Sequence, residues 1–351
     1  MKIAALLVLL PLAAAAVEYP DALPGRPLAF PADEGSHPDY RTEWWYVTGW
    51  LETSGHQPLG FQVTFFRTRP GIAEDNPSEF AARQILIAHA AVSDPAIGHL
   101  WHDERIARAG FGLAQAKTGA TDVWIDDWKL TGDGSTLSTE VTGSDFGFRL
   151  RLERTQAPLP EGEAGYSRKG PDPRSASGYY SIPQLAVSGS VVRHGASTPV
   201  TGRAWLDHEW SSAYLDSQAS GWDWIGINLA DGGAVMAFRI RDKAGAQRWA
   251  GATFRHADGR IETYPPQAIE FIPGRIWTSP RTAIRYPVEW EMHFGPSRLS
   301  LTPLQDDQES DTRRTTGAIY WEGAVRARGA GTADGRGYLE LTGYGSPLKL
   351  P

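Results

Sequence analysis

The residues best suited to chemistry lie close together at 203–212, which reads RAWLDHEWSS. We interpret this stretch as a β-strand, whose side chains alternate between two faces. His208 and Trp210 should therefore share one face of the strand. Trp205 and Asp207 should share the other. A proton-transfer group beside an electron-rich ring predicts the wall of a cavity in which acid–base chemistry takes place.

A purely structural role is the alternative for the same stretch. A tryptophan-rich strand can close the end of a β-barrel, with the histidine hydrogen-bonded to main chain and the acids paired with arginines. The residue pattern alone leaves both interpretations open.

Further aromatic and ionisable residues are predicted to complete the cavity. The candidate catalytic residues are His208, Trp210, Asp207 and Asp223. The candidate ligand-binding residues are Glu43, Trp44, Trp45, Tyr46, His89, Tyr179, Tyr180, Trp205, Trp222, Trp224 and Phe238. An apolar pocket with a few polar groups is typical of a small-molecule site. The chain's 14 tryptophans would also suit sugar stacking, so a glycan-acting enzyme with a carboxylate pair is a further alternative.

The composition excludes several other classes of site. The chain has no cysteine, so it can form neither disulfides nor thiolate metal sites. The nucleophile elbow Gly-x-Ser-x-Gly, the phosphate loop and the zinc motif His-Glu-x-x-His are all absent from the sequence. The formal net charge of −7 argues against a nucleic-acid partner. We expect no metal and no organic cofactor.

The elements that position these residues are predicted to be antiparallel strands. Short apolar–polar alternation recurs between turns, and the chain contains 38 glycines and 25 prolines. The spacing from Trp44 to Leu51 recurs from Trp222 to Leu229, which suggests two similar β units. The segment 156–178, with four prolines, is predicted to be a long loop that acts as a lid or a linker.

The N-terminus predicts export. Lys2 precedes an apolar run that ends in Ala14-Ala15-Ala16, which is typical of a cleavable secretory signal peptide. The run is too short to span a membrane, which takes roughly 20 residues. We therefore expect a periplasmic or secreted protein whose mature chain has no transmembrane segment. The predicted division is a signal peptide at 1–16, a first β-barrel at 17–212 and a second at 213–351.

Five motifs in order carry a resemblance to a known family. They are Glu43-Trp44-Trp45-Tyr46 with Gly49, AHAAVSD at 88–94, YYSIPQL at 179–185, the stretch 202–210 and Gly221-Trp222-Asp223-Trp224. Together they resemble the carotenoid 1,2-hydratase (hydroxyneurosporene synthase)-like family, whose relatives include exported bacterial lipocalin-like proteins, kievitone hydratase and fungal Diels–Alderases.

The resemblance implies an all-β fold of two consecutive lipocalin-like (calycin) antiparallel barrels, with a ligand held in or between them. It also implies acid-catalysed addition of water to an isolated alkene. The family's His-x-Trp element corresponds to His208 and Trp210. Its Tyr-x-Asp acid has no counterpart in the strand predicted at 234–241, so Asp207, Asp223 or Glu43 would have to replace it.

Beside the glycan-acting alternative given above, two functional hypotheses follow from the resemblance. In the first, the protein binds a hydrophobic small molecule, terpenoid or lipid-like, and hydrates or isomerises an alkene in it. In the second, the protein is a non-catalytic carrier, or an accessory protein whose partner is an envelope transporter.

Overall fold

The computed structural model describes residues 17–72 and 74–348, and the predicted signal peptide lies outside them. Two sheets contain nearly all the regular structure. The first consists of β1 (Thr42–Thr53), β2 (Pro58–Thr68), β3 (Ile85–Ser93), β4 (Leu100–Arg108), β5 (Ala114–Ala116), β6 (Asp122–Ile125), β7 (Trp128–Gly132), β8 (Thr136–Thr142), β9 (Phe146–Glu153), β10 (Leu159–Pro160), β11 (Tyr166–Arg168), β12 (Ala176–Arg193) and β13 (Ala196–Ala213).

The second sheet begins a few residues later in the chain. It consists of β14 (Ala219–Leu229), β15 (Ala234–Asp242), β16 (Gln247–Arg255), β17 (Ile261–Tyr264), β18 (Ile269–Pro273), β21 (Trp290–Phe294), β22 (Ser297–Pro303), β23 (Glu309–Thr312), β24 (Ala318–Ala330) and β25 (Gly335–Leu341). A separate hairpin is formed by β19 (Ile276–Thr278) and β20 (Arg285–Pro287). The helical elements of the described residues are two short 3₁₀ turns, Ala32–Glu34 and Pro266–Ala268.

Both sheets are antiparallel and curl into nearly closed barrels. The first runs in the order β4-β3-β2-β1-β13-β12-β9-β8-β7-β6-β5, and the second in the order β17-β16-β15-β14-β25-β24-β22-β21-β18. In the first barrel, Arg105 of the edge strand β4 reaches across the gap to β6 and β7, because its guanidinium donates to the Ile125 carbonyl and lies 4.6 Å from the centre of the Trp128 ring. The predicted fold of two lipocalin-like barrels is confirmed.

Strand alternation divides most of the buried side chains among three large cores, beside a small cluster of Ala22, Tyr166 and Ala176. Trp45, Val47 and Leu206 belong to the interior of the first barrel, and Ile225 and Trp321 belong to that of the second. The third core lies between the barrels, where the outward faces of β1, β12 and β13 meet those of β14, β15, β24 and β25.

Each barrel interior contains the same buried ion pair. In the first barrel Glu43 of β1 is the register partner of Arg67 of β2, and the Nε of Arg67 lies 2.7 Å from the Glu43 carboxylate. In the second barrel Asp223 of β14 is the register partner of Arg239 of β15, at 2.6 Å. If Glu43 is aligned with Asp223, Trp44 corresponds to Trp224. The repeat predicted from the sequence matches Trp44 with Trp222, so the structural repeat differs from it by two residues.

The segment 156–178 is not the unstructured loop that its prolines predicted. Its short strands β10 and β11 both pair with β12. The pairing brings Glu161 and Lys169 into the interior, with relative exposures of 0% and 2%. Local sequence favoured a loop, but tertiary pairing to a long neighbouring strand overrides that preference.

No helix in the described residues is long and apolar enough to cross a membrane.

Candidate functional site

The two faces of β13 look into different parts of the molecule. Leu206, His208 and Trp210 point into the first barrel, and Asp207 and Glu209 point toward the second. The alternation predicted for this strand is therefore correct, but the cavity lies on the side away from the histidine.

His208 is part of a packed interior cluster. It is fully buried, its Nε2 lies 3.0 Å from Glu43 Oε1, and its Nδ1 lies 3.2 Å from the Tyr180 hydroxyl. Its ring stacks on Trp45 with centroids 4.6 Å apart. His37 contacts the same carboxylate oxygen, with its Nδ1 2.7 Å from Glu43 Oε1.

The electrostatics of this cluster favour a fixed ion network. Burial would raise the pKa of Glu43, but the charge of Arg67 and the hydrogen bonds from His208 and His37 hold it well below its usual value. Burial lowers the pKa of His208. The ligand atoms of His37, Glu43 and His208 lie within 4.8 Å of one another, which is also a geometry that can hold a metal ion. No metal was expected from the sequence, and His37 was not singled out there.

Asp223 lies in the interior of the second barrel. Besides Arg239, it contacts Arg241 Nε at 3.1 Å and accepts a hydrogen bond of 2.8 Å from the Tyr344 hydroxyl. Its predicted catalytic role is not supported by this position, because an in-register ion pair turns the carboxylate away from the space between the barrels.

A cavity of about 100 Å³ lies between the two barrels. Its aromatic lining consists of Trp44, Tyr46, Phe66, Tyr214, Trp222, Trp224 and Tyr320. Four carboxyl groups also line it: Asp207, Glu209, Glu322 and Glu340. Thr42, Tyr214 and Leu348 line both this cavity and a shallower depression of about 330 Å³, so the two spaces adjoin. The arrangement is an apolar pocket with concentrated acidity.

Three hydrogen-bond donors on strands of the first barrel fix the carboxylate of Asp207. Trp205 Nε1 and Ser181 Oγ both donate to its Oδ1 at 2.6 Å, and the Tyr179 hydroxyl donates to its Oδ2 at 2.7 Å. Burial raises the pKa of Asp207 to about 7. A carboxylate has roughly four lone-pair sites, so Oδ2 keeps one free for a further proton donor.

Ser181 links Asp207 to a second buried carboxyl group. Its Oγ lies 2.6 Å from Asp207 Oδ1 and 2.8 Å from Glu161 Oε1. A hydroxyl has a single proton to donate, so both hydrogen bonds form only if one of the two carboxyl groups is protonated. Burial raises the pKa of Glu161 to about 8, which makes Glu161 the protonated partner at neutral pH.

Glu322 and Glu340 form a second acidic pair on the opposite wall. They are register partners on β24 and β25, so two carboxyl groups face each other directly across the strands. Burial and the neighbouring Glu340 raise the pKa of Glu322 well above its usual value, and burial raises that of Glu340 to about 7. Trp222 Nε1 donates to Glu340 at 2.8 Å, but Glu322 Oε1 has no hydrogen-bond partner within the described residues. Glu322 therefore lines the cavity with a carboxyl group whose protonated form is favoured.

Glu209 differs from the other three acids because it has a cation beside it. Lys169 Nζ lies 2.7 Å from Glu209, in a cage formed by the rings of Tyr179, Tyr214 and Phe238. Burial raises the pKa of Glu209 despite this ammonium group.

His89 lines the cavity as a neutral group. Its Nδ1 lies 2.9 Å from the Tyr320 hydroxyl and its Nε2 lies 3.0 Å from Thr315 Oγ1. Burial lowers the pKa of His89 to about 3. Both ring nitrogens are thus used in orienting neighbours.

The structure places six of the fifteen predicted site residues at the cavity. Those that line the cavity are Trp44, Tyr46, His89, Asp207, Trp222 and Trp224. Tyr179 and Trp205 stand behind Asp207 as hydrogen-bond donors, and Phe238 packs on Lys169 in the core between the barrels. Those inside the first barrel are Glu43, Trp45, Tyr180, His208 and Trp210. These five do not line the cavity, because they alternate along their strands with the residues that face it and so point into the barrel instead.

Sequence reasoning missed the acids of the second wall. Tyr320-Trp-Glu322 and Tyr338-Leu-Glu340 both place a tyrosine and a glutamate on one face of a strand. The repeated Tyr-x-Glu spacing was the available signal, and its two copies lie on β24 and β25, far along the chain from the strand 234–241.

The buried acids predict that the protein becomes less stable as the pH rises from 6.5 to 8. The folded-state pKa values of Asp207, Glu340 and Glu161 lie near 7 to 8, above their ordinary values of 3.8 to 4.5. The folded protein therefore binds more protons than the unfolded chain in this range, and each titrating group lowers the free energy of unfolding by up to about 1.4 kcal/mol per pH unit. Buried neutral histidines oppose this trend only weakly, because unfolded histidine is already half deprotonated at about pH 6.5 and has lost most of its remaining protons by about pH 7.5.

Urea unfolding at several pH values measures this slope. Glu161→Gln should flatten it, and Glu163→Gln, at an exposed position two residues away, should leave it unchanged. A free energy of unfolding that is constant or rises between pH 6.5 and 8 would contradict the assignment.

Fold and site together define a class of protein: a two-barrel, lipocalin-like protein with an acidic, aromatic cavity between its barrels. The chain matches the AttH-like family over residues 21–344 and belongs to it. A crystal structure of an AttH-type protein from Nitrosomonas europaea is 50% identical, with a TM-score of 0.87, and the match covers 93% of this chain and 99% of that one. No curated protein matches the sequence.

Two more distant structures share the fold. Kievitone hydratase from Nectria haematococca is 15% identical with a TM-score of 0.72, over 94% of this chain and 97% of the hydratase. CghA, solved with Sch210972, is 14% identical with a TM-score of 0.54, over 87% and 89% of the two chains. At these identities the likeness concerns the fold alone.

Proposed function

We propose that the cavity between the barrels binds the end group of a hydrophobic small molecule and adds water across an alkene in it. The observation that supports this most directly is the pairing of Glu322 with Glu340, which keeps a proton on a carboxyl group inside an aromatic pocket. The name of the structural relative kievitone hydratase states the same type of reaction. A terpenoid or other lipid-like molecule is the ligand class that such a lining favours.

The size of the cavity limits what enters it. A cavity of about 150 Å³ lined by apolar side chains holds one benzene. The 100 Å³ here accordingly suits a branched terminal alkene, with the remainder of the molecule in the adjoining depression of about 330 Å³.

The proposed reaction uses one acid from each wall. Glu322 gives its proton to one alkene carbon, the π electrons form the new C–H bond, and the other carbon becomes a carbocation. The faces of Trp44 and Trp224 stabilise this cation by about 0.5–2 kcal/mol each. A water molecule then forms the C–O bond and gives a proton to Asp207 Oδ2. Asp207 then releases this proton to solvent and Glu322 takes one up from solvent, so the net change is alkene plus water to alcohol.

The proposal includes isomerisation as a variant of the same chemistry. If the Glu322 carboxylate takes a proton from a neighbouring carbon of the carbocation before water adds, the double bond moves, Glu322 is again protonated and no oxygen is gained. Both outcomes begin with the same proton transfer.

A non-catalytic carrier, alone or with an envelope transporter as its partner, is the second candidate. The observation that favours it is the dense hydrogen bonding of Asp207, since a carboxylate with three donors is a weak base. Location in the periplasm or outside the cell, expected from the N-terminal sequence, fits either candidate.

Incubation with acyclic isoprenoids that end in a dimethyl-substituted alkene, in D₂O, separates the candidates. A hydratase gives an alcohol with one deuterium on carbon, and an isomerase gives an alkene with deuterium and no added oxygen. A carrier binds the isoprenoid and releases it unlabelled, and that result would contradict the catalytic proposal. Mass spectrometry of molecules that co-purify from the native envelope would identify the natural ligand.

A further inference from the structure

A second, larger crevice lies between the barrels at the other end of their contact. It has a volume of about 1210 Å³, and its charged lining consists of Arg203, Arg326, Arg328, Arg336, Glu52 and Asp334. Four arginines against two carboxylates give this crevice a positive excess in a chain whose net charge is −7. We call it the arginine cleft.

The arginine cleft and the acidic cavity occupy opposite ends of one sheet face. On β24 and β25 the pair Glu322–Glu340 is followed, four residues along, by the pair Arg326–Arg336. At about 3.3 Å per residue the two pairs lie about 13 Å apart. Ala324 and Tyr338 are register partners between them and belong to the packed core between the barrels.

Two arginines of the cleft share one aromatic ring, and most of its arginines have no carboxylate beside them. The guanidinium groups of Arg326 and Arg336 lie over the ring of Trp50, at 4.9 and 5.3 Å from its centre. Like charges directly opposite each other on neighbouring strands destabilise a sheet. Glu52 pairs with Arg336 and leaves Arg326 without compensation. Within the described residues, Arg203, Arg326 and Arg328 have no carboxylate within salt-bridge distance.

We infer that the arginine cleft is a binding site for a multiply charged anion, either a phosphate ester or a polycarboxylate. Guanidinium groups bind both anions through paired, charge-assisted hydrogen bonds. Arg326 and Arg328 lie on the same face of β24, and Arg203 approaches from the first barrel as the register partner of Trp50. An anion between them would neutralise the uncompensated charges and bridge the two barrels. This site is separate from the acidic cavity and does not depend on the proposed hydration.

Calorimetric titration of the whole protein with inorganic pyrophosphate, and separately with citrate, tests the inference. We expect at least one of the two anions to bind, more tightly at about 0.01 M than at about 0.1 M ionic strength, because the Debye length falls from about 30 to about 10 Å. The anion that binds indicates which ligand chemistry the cleft prefers.

Arg326→Gln and Arg328→Gln should each weaken binding about tenfold or more. Arg298→Gln is the matched control, since Arg298 is an exposed arginine of the same barrel that does not line the cleft. All three positions are exposed, so the variants should fold, and thermal unfolding checks this. If neither anion binds, or if Arg326→Gln binds as tightly as Arg298→Gln, the cleft is not an anion site.

Discussion

Glu322→Gln should abolish most of the hydration or isomerisation activity, lowering the rate by about 10²–10⁴-fold, which is the usual contribution of a positioned proton donor. Glutamine has nearly the same shape as protonated glutamic acid, so the cavity should keep its form. The glutamine side chain, however, cannot deliver a proton to an alkene. The measurement is the rate of deuterium incorporation from D₂O into the product, compared with the unaltered protein.

Glu322→Gln should leave the protein at least as stable as the unaltered protein. Two carboxyl groups in register disfavour each other's ionisation, and a neutral amide removes that interaction. We therefore expect the free energy of unfolding at pH 8 to be unchanged or higher. This separates loss of the acid from loss of the fold.

One control variant and one further test variant sharpen the experiment. Glu291→Gln alters an exposed glutamate of the second barrel and should leave the rate unchanged. Asp207→Asn should slow the addition of water more than the initial proton transfer, so deuterated alkene should accumulate relative to alcohol. If Glu322→Gln keeps full activity, Glu322 is not the proton donor.

The sequence predicted the fold well because the relevant signal is local. Alternating strands, frequent turns and the ordered motifs from Glu43 to Trp224 depend on near neighbours and on family resemblance. The parity of Asp207 and His208 on β13 also followed from strand geometry alone.

The location of the cavity could not be read from the same pattern. Whether a strand face looks into its own barrel or toward the other one depends on how the two barrels pack. His208 and Asp207 are adjacent in sequence, yet one contacts Glu43 and the other contacts Tyr179. The partners of Asp207 across the cavity, Glu322 and Glu340, come from strands more than 100 residues away.

The pKa values depend on the same long-range contacts. Nothing in the sequence around Glu161 indicates a protonated carboxyl group, because its burial results from pairing β10 with β12 and from the position of Ser181. Proline-rich local sequence argued for an exposed loop there. The chemistry of the site is thus set by tertiary structure, and the strand pattern by the sequence.

Glu43→Ala should destabilise the first barrel by about 3–5 kcal/mol, and Asp223→Ala should do the same in the second. Each substitution leaves buried guanidinium groups without their carboxylate, which is the costly way to break a buried ion pair. Arg67 is 2% exposed, and Arg241, which contacts Asp223 together with Arg239, is 5% exposed. Urea unfolding followed by tryptophan fluorescence measures the loss.

The two ion pairs occupy equivalent positions in the two barrels, so each variant is a control for the other. Glu79→Ala, at an exposed glutamate, should change the free energy of unfolding by less than about 0.5 kcal/mol. Because neither Glu43 nor Asp223 lines the cavity, molecules that remain folded at low temperature should retain the proton-transfer rate of the unaltered protein. A large fall in that rate without a matching loss of stability would instead give these interior clusters, and His208 with them, a direct part in the chemistry.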